Sequence, residues 1–436
     1  MTASDILSTA AAATRWPTLP DAVKAQIADL FLDTLAVTYA GTRHPSFQPW
    51  ATASAALGKG PLVDALIEGG ATTVHQLQDI YRLGRGHPAS HIVPAVFARG
   101  VQRNATAADL FAAFAAGYEC AARIGAALGG LQDLLHDAGT WATIGAAVSA
   151  AHLLGADQTQ IAQSIDGAAA VTLFPYRATP MAGATIHHLY IGLGAAIGLA
   201  AAQSVMAGLT AIPGTLEDFF GPRAGFAFSP AKLTAGISNG TWAQYEMLNA
   251  HIKVRPVCAH IATVMDTVTD FVARHGITGA DVAEGDVGIY ATALQYHSAV
   301  PAGDLAARFS IDTMIALMLI KGITLEQDIS PADLNDPNVR DLARRILVHH
   351  DPALDADYPA GRPSIVTLTL KDGRVLTQRA TYPKGDVTNP IDRSERRAKA
   401  GALFGANAAA ILFAFDTFVA GGAIAPLAEA LRSQHA

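Results

Sequence analysis

One stretch of the sequence, residues 133–155, constrains the fold more than any other. A polar turn that contains His136, Asp137, Gly139 and Thr140 runs directly into a segment of small residues. The segment is too apolar for a surface helix, so it predicts a central helix on which neighbouring backbones pack closely. The turn would then place His136 and the free N–H groups of the first helical turn beside a cavity, where an anionic substrate is attracted. Alternatively, His136 and Thr140 only cap the helix.

The composition favours a large, buried, helical core. Charged residues make up 15% of the 436 residues and hydrophobic residues 51%, whereas globular chains contain about 25% charged residues. Aromatic residues account for only 7%, so most of the apolar content is Ala, Leu, Ile and Val, which favours packed helices. The length suffices for two or three domains.

Charge and cysteine content exclude some classes of protein. The net charge of −7 argues against a nucleic-acid-binding protein, which would show a basic face. Two cysteines do not form a disulfide framework, so a cytoplasmic location is predicted. Residues 1–17 lack the basic start and apolar core of a signal peptide. Residues 178–216 contain no Asp, Glu, Lys or Arg, but their glycines and polar residues favour a buried helix over a membrane span.

Hydrophobic periodicity predicts a mainly α fold in three parts. Helices are expected at residues 22–40, with a stop at Gly41, at residues 106–128, with a capping-box-like start at Thr106 and Asp109, and at residues 187–207. Beyond about residue 250, residues 286–293 alternate like a strand, and residues 364–378 predict a hairpin with its turn at Asp372-Gly373. We therefore expect a large all-helical domain (1–249), an inserted smaller α+β lid domain (250–395), and C-terminal helices that return to the first domain (396–436).

No motif for a metal or a nucleotide stands out. The sequence has no His-Glu-x-x-His and no Cys-x-x-Cys spacing. Residues 192–198 look faintly like a dinucleotide-binding loop, but no strand is predicted before them, so their glycines are interpreted as helix-packing positions. We predict neither a metal nor a cofactor.

Polar residues in apolar settings are the best candidates for chemistry. His87 precedes a proline at a predicted helix start, and His136 and His187 open two other helices. Lys253 and Arg255 lie in a short apolar segment, and two cations there suit a carboxylate ligand. Histidine titrates near neutrality and can move a proton. Alternatively, the histidines are satisfied core groups and the two cations are solvated.

These residues belong to a series of short motifs that runs along nearly the whole chain. The motifs are Gly86-His-Pro-Ala-Ser-His-Ile-Val-Pro-Ala, Thr106-x-x-Asp…Gly117-Tyr-Glu, His136…Gly139-Thr…Gly145-Ala-Ala…Leu154-Gly, Ala207-Gly-Leu-Thr, Lys253…Pro256-x-Cys, Arg308-Phe-Ser and Lys384-Gly…Asn389-Pro. In order and spacing the series resembles the MmgE/PrpD family, which includes 2-methylcitrate dehydratase, cis-aconitate decarboxylase and iminodisuccinate epimerase.

The resemblance implies a helical domain with a smaller lid domain, a homodimer, and a cofactor-independent site for small di- or tricarboxylates between the two domains. His87, His136 and Lys253 fall on family site positions, and Cys258 falls where some members place a site residue.

The sequence also departs from the family pattern. Gln78 stands where the family often has an acid, His187 replaces a common lysine, Tyr190 a nearby histidine, and Thr313 a tyrosine. The Gly-His-Pro-x-Ser and Phe-Ser-Ile-Asp pieces are most similar to the epimerase branch.

Taken together, these features predict an enzyme that moves a proton at carbon next to a carboxylate, by dehydration, decarboxylation or epimerisation. The predicted catalytic residues are His87, His136, His187 and Lys253, and the predicted substrate-binding residues are Gln78, Arg82, Tyr190, Arg255, Cys258 and His260. A non-catalytic relative that binds small carboxylates or acts as a scaffold is the alternative, and a metal hydrolase is a third possibility. We expect no nucleic-acid or membrane partner.

Overall fold

A computed structural model describes residues 2–132, 134–322 and 328–433. For Pro222 it describes the backbone alone. The mainly α class is confirmed. The first part of the chain contains α1 (Ala3–Ala13), α2 (Asp21–Arg43), α3 (Gln48–Ala55), α4 (Pro61–Ala71), α5 (Pro88–Arg103), α6 (Ala107–Leu128), α7 (Trp141–Leu153), α8 (Gln158–Val171), α9 (Ala178–Met181), α10 (His188–Met206), α11 (Thr215–Asp218) and α12 (Pro230–Thr234).

Shorter helices and a sheet follow, and three more helices close the chain. The helices are α13 (Ala262–His275), α14 (Asp304–Ala307), α15 (Ile311–Lys321), α16 (Pro331–Asn335), α17 (Pro337–Arg344), α18 (Arg393–Phe404), α19 (Ala408–Val419) and α20 (Ala425–Arg432). The strands are β1 (Ile80–Tyr81), β2 (Ile237–Ser238), β3 (Thr241–Trp242), β4 (Ala250–His251), β5 (Val282–Ile289), β6 (Ile346–His350), β7 (Ser364–Leu370) and β8 (Val375–Ala380).

Two large hydrophobic cores organise these elements. One combines residues 7–252 with residues 391–428, and the other comprises residues 257–370. We call the elements around the first core the helical unit (α1–α12 and α18–α20) and those around the second the α+β unit (α13–α17 and β5–β8). The expected boundaries at residues 249 and 395 stay a prediction.

The α+β unit contains a four-stranded sheet in the order β6-β5-β7-β8, in which only the β5–β6 pair is parallel. The predicted hairpin is confirmed, and Gly373 adopts the positive φ of +89° that its turn requires. The strand predicted at residues 286–293 begins earlier and ends at Ile289, because a 3-10 turn follows.

The helical unit is not purely helical, which corrects the all-helical expectation. Two antiparallel pairs of two-residue strands, β1–β4 and β2–β3, lie within it. The β1–β4 pair joins the segment before His87 to the segment before Lys253, because Ile80 lies opposite His251 and Tyr81 opposite Ala250.

The predicted central helix is α7, which packs on α5, α6, α8 and α10. Its residues 141–151 are buried. A Cβ atom on Gly145 would lie 2.8 Å from the Gly117 carbonyl oxygen in α6 and 2.6 Å from the Ala121 Cβ. The expected close approach of backbones is therefore confirmed. Thr140 makes no side-chain cap, because its hydroxyl donates to the Asp137 carbonyl.

A side-chain cap explains where α6 begins, and the packing of a glycine explains why α2 continues past its predicted end. Thr106 caps α6 as predicted, since its hydroxyl accepts from the Asp109 N–H at 3.2 Å. Helix α2 runs through Gly41, where a stop was expected, to Arg43. Gly41 instead allows α4 to approach, because a Cβ there would lie 2.0 Å from the Ala71 carbonyl oxygen.

Among the residues that the structure describes, two helical stretches, Thr185–Met206 and Arg393–Val419, have the length and apolar composition of a membrane span. The first includes the uncharged helix noted in the sequence, and within the described residues it packs on α4, α5, α7 and α8. Length and composition alone are weak evidence for a span, since core helices of soluble proteins pass the same test.

Candidate active site

A cavity of about 90 Å³ lies where the two hydrophobic cores meet. Both parts of the chain contribute polar side chains to its wall. Residues 76–177 supply Gln76, Arg85, His87, His136, Asp137 and Arg177, and residues 253–362 supply Lys253, Cys258, His260, Tyr296, Tyr358 and Arg362. A wider cleft of about 1070 Å³ between α2, α4, α18 and α20 contains none of the predicted site residues.

The β1–β4 pairing brings Lys253 to the cavity. Continuing the register of Ile80 with His251 by two residues places Gln78 opposite Lys253. The Lys253 Nζ donates to Gln78 Oε1 at 3.3 Å and to the Val257 carbonyl at 3.2 Å. Among the described residues, no carboxylate lies within ion-pairing distance of this ammonium. Burial lowers the pKa of Lys253 to about 7.

His87 is held as a neutral imidazole with a defined tautomer. Its Nδ1 lies 2.5 Å from the Asp79 carbonyl oxygen. Because a carbonyl can only accept, Nδ1 carries the proton and Nε2 keeps a lone pair. Burial, reinforced by the charge of Lys253, holds the pKa of His87 well below its usual value. His87 therefore presents a free base at neutral pH.

Asp79 positions His87, a role that sequence reasoning missed. Its carboxyl oxygens accept from the Ala89 N–H at 3.0 Å and the Ser90 N–H at 3.2 Å, at the start of α5. These bonds satisfy N–H groups that a helix leaves open at its first turn. The same residue thus fixes both the helix start and, through its carbonyl, the His87 ring.

His136 has the opposite tautomer. Its Nδ1 accepts from the Ala138 N–H at 3.1 Å, so a neutral ring carries its proton on Nε2. Burial, aided by the charge of Arg177, lowers the pKa of His136 to about 3. The adjacent Asp137 lies 3.3 Å from Nδ1, and burial raises the pKa of its carboxyl to about 7.

His91 connects these two histidines and was also missed. Its Nδ1 donates to the His87 carbonyl at 2.8 Å, and its Nε2 accepts from the Gly139 N–H at 2.8 Å. It therefore ties the start of α5 to the turn before α7. The available signal was its position four residues after His87, one helical turn along α5.

His187 and Tyr190 pack behind His136 and do not line the cavity. The His187 ring lies 4.9 Å from that of His136, and the Tyr190 ring 6.0 Å from it. The Tyr190 hydroxyl donates to Thr179 Oγ1 at 2.7 Å. Burial and the neighbouring imidazoles hold the pKa of His187 well below its usual value.

Both arginines among the predicted site residues lie away from the cavity, because each reaches a carboxylate elsewhere. Arg255 is paired with Asp266 in α13 at 2.8 Å. Arg82 is paired with Asp386 at 2.9 Å beside a smaller neighbouring cavity of about 10 Å³. Gln78 contacts Lys253 from behind the cavity wall.

Cys258 and His260 line the cavity from the α+β unit, and their role in substrate binding stays a prediction. Burial raises the pKa of the Cys258 thiol, which opposes thiolate chemistry. The His260 ring stacks on Tyr296 at 4.9 Å, and its Nδ1 lies 2.5 Å from the Tyr290 hydroxyl.

Sequence reasoning missed several lining residues, chiefly Arg85, Arg177, Tyr296, Tyr358 and Arg362. They are far apart in the chain and belong to no short motif, so no local signal marked them. Among the residues that the structure describes, no group of three or more His, Cys, Asp or Glu side chains is arranged to hold a metal.

Two family models match the chain. The MmgE/PrpD N-terminal domain matches residues 5–230, and the MmgE/PrpD C-terminal domain matches residues 256–409. Human cis-aconitate decarboxylase is 25% identical over 353 residues, which cover 76% of this chain and 69% of the human protein. The mouse protein of the same name is 27% identical over 322 residues, or 70% of this chain and 62% of its own.

A fungal relative gives the longest of these matches. Cis-aconitate decarboxylase of Aspergillus terreus is 24% identical over 408 residues, which cover 84% of this chain and 82% of the fungal protein. The two family models together span most of both hydrophobic cores. The chain belongs to the MmgE/PrpD family.

Proposed function

We propose that the chain is a cofactor-independent lyase or isomerase that moves a proton at carbon next to a carboxylate group of a small di- or tricarboxylate. The observation that carries this proposal is the pair of opposite tautomers in one cavity. The hydrogen bonds of His87 leave its Nε2 as an acceptor, and those of His136 leave its Nε2 as a donor. An acceptor and a donor are what general base and general acid catalysis need.

In the proposed reaction, His87 Nε2 takes the proton from the carbon next to the carboxylate. The electron pair of the broken C–H bond moves into the carboxylate, which becomes an enediolate. His136 Nε2–H then supplies a proton. The proton goes to the departing hydroxyl in a dehydration, or to the opposite face of the same carbon in an epimerisation. In a decarboxylation, carbon dioxide leaves first, and the donor protonates the carbanion that remains.

Lys253 supports this proposal because developing negative charge on the substrate needs a cation in a site with little water. Its ammonium is buried, and the described residues offer it only two neutral oxygens, on Gln78 and Val257. A substrate carboxylate would supply the missing opposite charge. Binding would also raise the pKa of Lys253 and keep it protonated.

The relatives support a lyase but leave the reaction open. All three are named cis-aconitate decarboxylase, at 24 to 27% identity. Gln78 and His187 depart from the family pattern at two positions in or behind this site. Dehydration, decarboxylation and epimerisation therefore all remain within the proposal.

Proton exchange tests the proposal directly. The protein is incubated in deuterated water with cis-aconitate and a panel of other di- and tricarboxylates, and deuterium at carbon is followed by mass spectrometry. We expect exchange or turnover with at least one acid, and at least a 100-fold lower rate for His87→Gln and His136→Gln. His275→Gln, at the exposed end of α13, is the control and should match the wild type.

The alternative is a non-catalytic relative that binds small carboxylates. The neutral Gln78 beside Lys253 favours it, because an acid expected from the family pattern is missing there. Binding of an acid without exchange at any carbon would support this alternative. A metal hydrolase would lose activity with chelators, and we expect chelators to have no effect. Homodimer formation and a cytoplasmic location stay predictions.

A further inference from the structure

The cavity wall is strongly cationic away from the histidines. Arg85, Arg177, Lys253 and Arg362 line it, and Asp137 supplies the one carboxyl group among its described lining residues. Burial raises the pKa of that carboxyl to about 7, so it is about half ionised at neutral pH and offsets only part of the positive charge. The described lining residues therefore include more cationic than anionic side chains, which favours a ligand with more than one carboxylate.

Arg362 is the member of this set whose position points most clearly to a ligand. The residue is 5% exposed. Its Nη1 donates to the carbonyls of Pro359 and Gly361, both at 2.8 Å. Its Nε is buried without a hydrogen-bond partner among the described residues, and none of their carboxylates lies within ion-pairing distance. Burying a guanidinium without a carboxylate partner costs free energy, unless a bound ligand supplies the missing hydrogen-bond acceptor and negative charge.

The surroundings hold the Arg362 guanidinium in place. The backbone N–H of Arg362 donates to the Thr381 carbonyl at 2.8 Å, and its carbonyl accepts from Thr263 Oγ1 at 2.6 Å. The guanidinium carbon lies 5.1 Å from the Tyr358 ring centre, and Tyr358 stacks on Tyr290 at 4.6 Å. Such a fixed fork is suited to a planar carboxylate group.

We propose that Arg362 binds a second carboxylate of the substrate, one that takes no part in the proton transfer, and thereby restricts the site to acids with at least two carboxylates. Lys253 would hold the carboxylate next to the reacting carbon, and Arg362 the distal one. This inference rests on the proposed function, because it assigns the second anchor of the same site.

Calorimetry or NMR titration with glutarate and its monoamide, glutaramate, tests the proposal without any turnover. The two ligands differ in one carboxylate, and a bidentate arginine–carboxylate contact contributes about 10- to 100-fold in affinity. The wild type should therefore prefer glutarate by that factor. Arg362→Gln should reduce the preference to near one, and Arg362→Lys should recover only part of it because lysine lacks the fork.

A ratio of two affinities separates recognition from damage to the fold. A general disturbance of the cavity by Arg362→Gln would weaken both ligands equally and preserve the ratio. The control is Arg374→Gln, an exposed arginine in the β7–β8 turn, which should keep the wild-type ratio. A wild type without preference for glutarate, or an unchanged ratio in Arg362→Gln, would overturn the proposal.

The outcome is distinguishable from failure of the proposed function. If the preference for glutarate depends on Arg362 but no acid exchanges a C–H proton, the proposed role of Arg362 is supported and the proposed catalysis is refuted. If C–H exchange depends on His87 and His136 but Arg362→Gln leaves the ratio of glutarate to glutaramate affinity unchanged, the proposed catalysis is supported and the proposed role of Arg362 is refuted. For a reactive acid, Arg362→Gln should raise KM more than it lowers kcat, because the distal contact is the same in the ground and transition states.

Discussion

The ammonium of Lys253 lies 3.3 Å from the amide oxygen of Gln78, directly across the extended register of the β1–β4 pair. This neutral contact, where the family pattern leads one to expect an acid, leaves the lysine without a carboxylate partner among the described residues. Burial then lowers its pKa to about 7. We therefore expect the charge of Lys253 near neutral pH to be sensitive to the side chain at position 78.

Gln78→Glu should shift the fall of kcat/KM at alkaline pH to higher pH. Lys253 is cationic below its pKa, so kcat/KM of the wild type should fall as the pH rises above about 7. A carboxylate at position 78 favours the charged lysine and should raise that pKa by about one to three units. The pH profile of kcat/KM checks this, and an unmoved descending limb would mean that Lys253 does not control it.

Asp79→Ala should impair both stability and turnover. It leaves the Ala89 and Ser90 N–H groups at the start of α5 without an acceptor, which costs about 1–3 kcal/mol. The displaced helix start should also loosen His87, so kcat should fall more than KM rises. Asp79→Asn keeps one acceptor oxygen and should lie closer to the wild type in thermal unfolding and in kcat. Equal effects of the two variants would contradict this positioning role.

Gly145→Ala should destabilise the protein by overpacking the α6–α7 contact. The new methyl group would lie 2.6 Å from the Ala121 Cβ and 2.8 Å from the Gly117 carbonyl oxygen, and such crowding costs about 1–3 kcal/mol. Gly401→Ala in α18 is the matched control, because its nearest neighbour would be 4.0 Å away. There alanine should stabilise the helix by about 0.5–1 kcal/mol. Denaturant unfolding of both variants measures the difference.

His188→Gln should destabilise the protein less at pH 5 than at pH 7.5. Burial lowers the pKa of His188 to about 4, whereas the unfolded chain titrates near 6.5. The unfolded state therefore binds a proton below pH 6.5 that the folded state does not, and the wild type loses about 2 kcal/mol from this residue between pH 7.5 and 5. Chemical unfolding at both pH values checks this. An identical destabilisation at both would show that the pKa of His188 is not lowered in the folded protein.

The sequence was sufficient for the parts of the fold that local chemistry determines. Thr106 caps α6, Gly373 forms the hairpin turn, and small residues place α7 at the centre. The end of α2 was predicted wrongly, because the glycine at position 41 permits a close approach of α4 and does not stop the helix. The packing partner of a glycine is not visible in one segment of sequence.

The cavity lining was predictable for residues that lie in or next to the quoted motifs. His87, His136, Lys253, Cys258 and His260 do line one cavity. Arg255 looked equivalent to Lys253 in the sequence, yet it reaches Asp266 because the two residues lie on elements that only folding brings together. Arg362 was missed for a similar reason. Its contacts with Tyr358 and Thr263 form only in the fold, so the sequence does not mark it as a ligand-binding residue.

The most direct test of the account is the protonation state of His87 and His136 in the folded protein. Nitrogen-15 NMR of ¹⁵N-histidine-labelled protein, with the two residues assigned from His87→Gln and His136→Gln, distinguishes both ring nitrogens. Because their pKa values are lowered by burial, we predict two neutral rings at pH 7, with the lone pair on Nε2 of His87 and on Nδ1 of His136. Two cationic rings, or the same tautomer at both positions, would contradict the proposed division into base and acid.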